Sequence, residues 1–349
     1  MPLTESSVHS QRGGAVRKRV FMLGATGTIG RATVRALVQR GYEVVCLVRP
    51  RPGPGESRGQ GELDRTQLQR QLPGAVIRVG DVQDPASLAR DGFAGQRFDA
   101  LVSCMASRTG APQDAWAVDH LAHVQALAAA RAAGVQQVVL LSANCVQRPL
   151  LAFQHAKLAF EKALIESGVV YSIVRPTAFF KSLSGQVDRV RRGKPFLLFG
   201  DGTLTACKPI GNDDLADYLA RCLDDASLRN RVLPIGGPGA AITPRQQGEH
   251  LFALLGRPPR FKRVPVVLMD AVIAVFGAAG RVLPPLAAKA ELARIGRYYA
   301  TESMLVLDPA SGRYSAQATP ATGTQTLFDH YAALLRGEAT DERGEHAVF

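Results

Sequence analysis

The sequence predicts an α/β fold, a doubly wound parallel sheet followed by a smaller C-terminal lobe. Three observations carry this. Short apolar runs of strand length alternate with amphipathic helical stretches through the first half of the chain. The first run, Arg19–Leu23, stops at a turn with Gly24, Gly27 and Gly30, and an Ala- and Leu-rich helix follows at once. Beyond Pro176 the alternation loosens.

The 349 residues suffice for one large α/β domain with a lobe, or for two domains. After the first strand, a helix runs from about Thr28 to Arg40 and ends at Gly41. Glu43–Val48 is the second strand, and residues 50–61, rich in Pro, Gly and Arg, read as a loop. Residues 75–79 are the third strand and Ala100–Ser103 the fourth. A helix over 116–133 ends at Gly134, and residues 138–142 are the fifth strand. A helix over 153–167 ends at Gly168, and residues 171–175 are the sixth strand.

A helix over 213–223 and a strand over 232–235 return to the sheet. Residues 178–211 and 240–335 then build a lobe over the carboxyl ends of the strands, where open α/β sheets bind ligands. Residues 264–279 are the most apolar stretch. Asp270 interrupts them and Pro284-Pro285 follow, so they read as a buried or interfacial helix rather than a membrane span. The expected division is a loose tail over 1–16, a nucleotide-binding domain over 17–177, a substrate lobe over 178–336 and a frayed tail over 337–349.

Composition narrows the function. Net charge is +12, from 42 Lys and Arg against 30 Asp and Glu, but the cations are scattered. No zinc-finger spacing or aromatic RNA-binding motif occurs, so the excess points to anionic small molecules rather than nucleic acid. An anionic membrane surface stays open. The five cysteines, Cys46, Cys104, Cys145, Cys207 and Cys222, form no CxxC pair, which argues against iron–sulfur clusters, structural zinc or another metal site. They fit buried thiols in a reducing, cytoplasmic setting. Residues 1–16 lack the apolar core of a secretory signal.

The glycine turn is the strongest chemical signal. Gly24 permits the tight turn, Gly27 admits a pyrophosphate, and Gly30 lets helix pack on strand. The helix N-terminus offers N–H groups and partial positive charge to the phosphates. The second strand ends at Arg49, with Arg51 close behind, where an NAD-binding protein usually carries an acid. Cations there suit a 2′-phosphate and hence NADPH. Asp81, after the third strand, can accept from the adenine amino group or cap the next helix.

Phe153 and Lys157 share a helix face one turn apart. With the glycine turn, Asp119-His120, Ser142 and the stretch from Lys157 to Pro176, they make residues 19–180 resemble the short-chain dehydrogenase/reductase superfamily. Its atypical and extended members carry Tyr-x-x-x-Lys where this chain has Phe153 and Lys157. Phenylalanine cannot donate a proton, so ordinary carbonyl reduction is disfavoured. Members lacking the tyrosine either reduce conjugated carbon–carbon double bonds, like the isoflavone reductase-like enzymes, or bind nucleotide without catalysis.

Further runs extend the resemblance over about residues 17–335: 174–182, the turn 200–203, 206–210, 235–238 and 243–248. Here the chain resembles the NADPH-dependent 8-vinyl reductases of divinyl chlorophyllide and protochlorophyllide a. The resemblance implies Lys157 as the catalytic and ribose-binding residue. It extends the cofactor site to Thr26, Thr28, Ile29, Val82, Cys104, Met105, Ala106, Ser142, Pro176 and Phe179. For the pigment it implies aromatic packing from Phe153, Phe179 and Phe180. Lys181, Arg189, Arg191 or Arg192 would meet its carboxylate. Water, Lys157 or His155 supplies the proton, and the residues leave these three open. His155 reads as a surface histidine or as a ligand of the pigment magnesium. A non-catalytic NADPH-binding sensor or assembly module, and a reductase of another conjugated alkene, are the competing readings.

Overall fold

The computed structural model describes residues 17–49, 58–280 and 283–339. Strands β1 (Arg19–Leu23), β2 (Glu43–Val48), β3 (Val76–Val79), β4 (Ala100–Ser103), β5 (Gln137–Leu141) and β6 (Val170–Pro176) join β8 (Arg231–Ile235) in one sheet. Its order is β3-β2-β1-β4-β5-β6-β8 and every pairing is parallel. In β1, Val20 and Met22 face one apolar layer and Phe21 and Leu23 the other. The twofold period of a strand makes this division, and cover on both faces explains why the strand is apolar throughout.

Helix α1 (Thr28–Gln39) packs on one face beside a later helix, Asn212–Asp224, and Arg40 ties them by pairing with Asp217 and Asp224. Helix α2 (Arg58–Gln71) begins inside the stretch read as a loop: residues 58–61 are helical, and residues 50–57 lie outside the described part. The expected helix 116–133 starts earlier, at Pro112, a residue suited to a first helical turn. It widens into a π-helical turn over Trp116–Ala122 before continuing as α3 (His123–Ala132). Helix α4 (Ala152–Glu166) follows β5.

Beyond β6, a second apolar cluster forms from Phe180, Val190, Phe196, Leu198, Leu251, Phe252 and Tyr331. Here β7 (Phe196–Phe199) pairs in parallel with β9 (Phe261–Val264), and Asn212–Asp224 is α5. Helices α6 (Pro244–Leu254), α7 (Val266–Ala279), α8 (Pro284–Thr301) and α9 (Leu327–Arg336) complete this part, with β10 (Val306–Asp308) antiparallel to β11 (Arg313–Ser315).

Of the two expectations for this stretch, buried or interfacial, helix α7 removes the first. None of its residues is buried, and Val267 and Val275 are 74% and 64% exposed. It packs on α8 and leaves Val267, Leu268, Val272 and Val275 exposed. No helix among the described residues is long and apolar enough to cross a membrane.

Candidate active site

The three glycines of the first turn have separate causes. Gly24 has φ +72°, and a Cβ on it would lie 2.5 Å from the Cys104 carbonyl carbon and the Met105 nitrogen. This presses the end of β1 against the Cys104–Met105–Ala106 turn after β4. A Cβ on Gly30 would stand 2.0 Å from the Gly24 oxygen, so helix and strand could not pack. Gly27 is different: its Cβ would meet only the Gly24 oxygen, at an ordinary 3.5 Å. The protein has no steric need of glycine there, whereas a phosphate laid on the backbone has. Gly27 is also the N-cap of α1 and supplies no side-chain cap to its first N–H groups, so the cradle fits a dinucleotide pyrophosphate.

Thr28 lines a cavity of about 230 Å³ beside this turn, with Arg31, Arg35, Lys181 and His330. Lys181 Nζ lies 3.3 Å from Thr28 Oγ1. The structure thus sets Lys181 at the N-terminus of α1. Thr26 accepts from Arg31 through its carbonyl, and Ile29 is buried behind the turn.

At the other end of the cradle, Arg49 is exposed directly after β2, and Arg51 lies outside the described residues. Asp81 Oδ1 accepts from the Gln83 N–H at 2.9 Å. The next helix is capped by Asp84, so Asp81 is not its cap. Val82 is buried beside it.

On α4, Lys157 Nζ stands 2.9 Å from Asp119 Oδ1, with side-chain exposures of 12% and 0%. The π-helical turn carries Asp119. Its Oδ1 also accepts from the Ser107 N–H, while Oδ2 has no hydrogen-bond partner. Burial pushes the Asp119 carboxyl up, but the Lys157 ammonium and the Ser107 N–H outweigh it and hold the group below its ordinary value. Asp119 was legible only as part of a family pattern. The signal that could have found it is an acid inside the apolar run 116–122.

Behind it, His123 donates from Nδ1 to the Val118 carbonyl, and Nε2 faces Ser103 Oγ at 2.8 Å. Burial, with Lys157 nearby, pushes this imidazole down to about 4, so it stays neutral.

Other expected residues divide. Phe153 packs against the cluster of Cys145, Leu151, Ile295 and Tyr298, one turn from Lys157 on the same helix. Phe179 is partly buried and bridges to Ile210, and Pro176 closes β6. Ser142 spends its hydroxyl on Glu161, which is also gripped by Arg175 in a buried network. His155 is exposed. Phe180 is 2% exposed inside the second cluster, so it is a core residue and not a pigment contact. Arg189 donates to the Pro195 carbonyl, and Arg191 pairs with Asp188. Arg191 and Arg192 line a different cavity, with Arg257 and Arg260.

Residues 24–226 match a family model described as NAD(P)H-binding. The chain is 49% identical over 336 residues to the chloroplastic divinyl chlorophyllide a 8-vinyl-reductase of Oryza sativa subsp. indica, covering 95% of this chain and 82% of that protein. Among solved structures, an NADPH-dependent quinone oxidoreductase of Escherichia coli in complex with NADPH superposes with TM-score 0.63 at 20% identity, covering 90% and 99% of the two chains. An isoflavone reductase superposes with TM-score 0.62 at 18% identity, covering 91% and 99%. These two likenesses establish the fold.

Proposed function

Since the chain belongs to the divinyl chlorophyllide a 8-vinyl-reductase family, we propose that it uses NADPH to reduce the 8-vinyl group of divinyl chlorophyllide or protochlorophyllide a to ethyl. The observation that carries the reading is the pair of positions 153 and 157. The chain keeps a largely buried, carboxylate-held lysine and replaces the phenol one turn away by phenylalanine. That site suits a substrate whose developing negative charge spreads into a conjugated ring and needs no oxyanion donor.

NADPH, when bound, supplies the hydride. The α1 N-terminus and Gly27 would hold its pyrophosphate, and Arg49 would meet the 2′-phosphate. Asp81 would accept from the adenine amino group. Lys157, oriented by Asp119, would bind the nicotinamide ribose hydroxyls. Phe153 and Phe179 pack on the flat pigment and exclude water from its vinyl edge.

The exposed face of α7 docks on an anionic membrane surface. Arg257, Arg260, Lys262 and Arg263 are exposed and lead straight into its apolar Val267 and Leu268. Pelleting with anionic vesicles tests this; a Val267→Ser/Leu268→Ser/Val275→Ser variant that pellets as well as the parent would overturn it.

Turnover is tested by following NADPH oxidation with divinyl chlorophyllide a and with a plant-phenolic alkene. Oxidation with the pigment alone supports the reading. NADPH binding without oxidation by either marks a non-catalytic module instead.

A further inference from the structure

Helix α8 enters the apolar cluster around Cys145 through Ile295 and Tyr298, and Phe153 of α4 and Tyr299 both pack against that cluster. A Cβ on Gly110 would meet Ile295 Cδ1 at 2.8 Å and Phe153 Cδ1 at 3.9 Å, so the loop after β4, Phe153 and α8 converge. Tyr298 pins the helix by donating to the Cys145 and Arg148 carbonyls, at 2.8 and 3.1 Å.

Its neighbour is held otherwise. The Tyr299 hydroxyl faces Cys145 Sγ at 3.8 Å, a weak partner, and the residue stays partly accessible against the cluster that Phe153 also packs on. The charge of Lys157 reaches the same Cys145 thiol. So the one hydroxyl in this cluster not engaged by backbone belongs to a residue that shares the Cys145 cluster with Phe153, the position of the lost phenol.

We propose that Tyr299 is the proton donor of the vinyl reduction, a phenol carried in by α8 to a site that has none at position 153. The proposal rests on the vinyl-reductase reading. The outer vinyl carbon takes the hydride and forms its C–H bond. The π pair moves to the inner carbon and the ring. The Tyr299 O–H then breaks, and its proton forms the second C–H bond at the inner carbon. NADPH leaves oxidised as NADP⁺, and the phenolate regains a proton from water. The phenol is protonated at neutral pH, and burial raises it further above its ordinary value.

Tyr299→Phe keeps the ring and removes only the hydroxyl. It should lower kcat at least about a hundredfold, the lower bound for a positioned acid, and leave NADPH and pigment Kd within about twofold. In D2O the parent should place deuterium on one face of the inner ethyl carbon, and the variant on both. A role in packing alone would not change that stereochemistry. A variant that keeps the parent kcat, or that still labels one face, overturns the proposal. So does a variant whose only defect is pigment affinity. A parent that binds NADPH but leaves the divinyl pigment unreduced refutes the vinyl-reductase reading itself and this proposal with it.

Discussion

Asp119→Asn should cost the fold about 3 kcal/mol. The amide keeps the shape of the carboxylate and an acceptor for the Ser107 N–H. It leaves the Lys157 ammonium, 2.9 Å away and only 12% exposed, without its counter-charge. Breaking a buried ion pair from one side costs about 3–5 kcal/mol, and the residual exposure of Lys157 places this pair at the low end. Urea unfolding measures the change. Adding Lys157→Met should restore most of the loss, because the stranded charge is gone. The pH dependence follows from the depressed Asp119 carboxyl. A group lowered in the folded state stabilises above its unfolded value and loses that contribution as pH falls through its folded one. The gap between parent and variant should therefore be full at neutral pH and narrow only below about pH 4. A difference under about 1 kcal/mol at neutral pH, the worth of an exposed pair, would refute the reasoning.

Gly27→Ala should fold like the parent and bind NADPH at least about tenfold more weakly, as a methyl between backbone and phosphate would. Gly30→Ala should lower the melting temperature, since its Cβ would stand 2.0 Å from the Gly24 oxygen. Arg49→Asp should weaken NADPH far more than NADH in a binding titration, and equal losses would remove Arg49 from the 2′-phosphate. Lys157→Ala should cut kcat by at least about tenfold and raise KM for NADPH, while Phe153→Tyr should not exceed the parent. Steady-state kinetics of both decide whether α4 has been assigned correctly.

The sheet and its cofactor cradle were legible because their signals are local. A strand, a glycine turn and a helix read consecutively in residues 19–39, and Phe153 and Lys157, four apart on one helix, were legible through the family resemblance. Asp119 was not read as a site residue because its meaning depends on a π-helical turn and a partner 38 positions away. Tyr299 meets Cys145 across 154 positions, which no pattern encodes. Phe180 and Lys181 were read together as pigment contacts. The helix that starts at Phe180 turns the ring into the core and the lysine toward Thr28. Helix α7 was expected in part to be buried because hydropathy measures a preference for burial, whereas burial also needs a partner, and α7 packs mainly on α8.

The most direct test is to mix purified protein, freed of flavin and metal, with divinyl chlorophyllide a and NADPH and to identify the pigment formed. The account predicts the 8-ethyl product, with one NADPH oxidised per vinyl group reduced. An unchanged divinyl pigment, or reduction that stops when a copurified flavin or iron centre is removed, would contradict it.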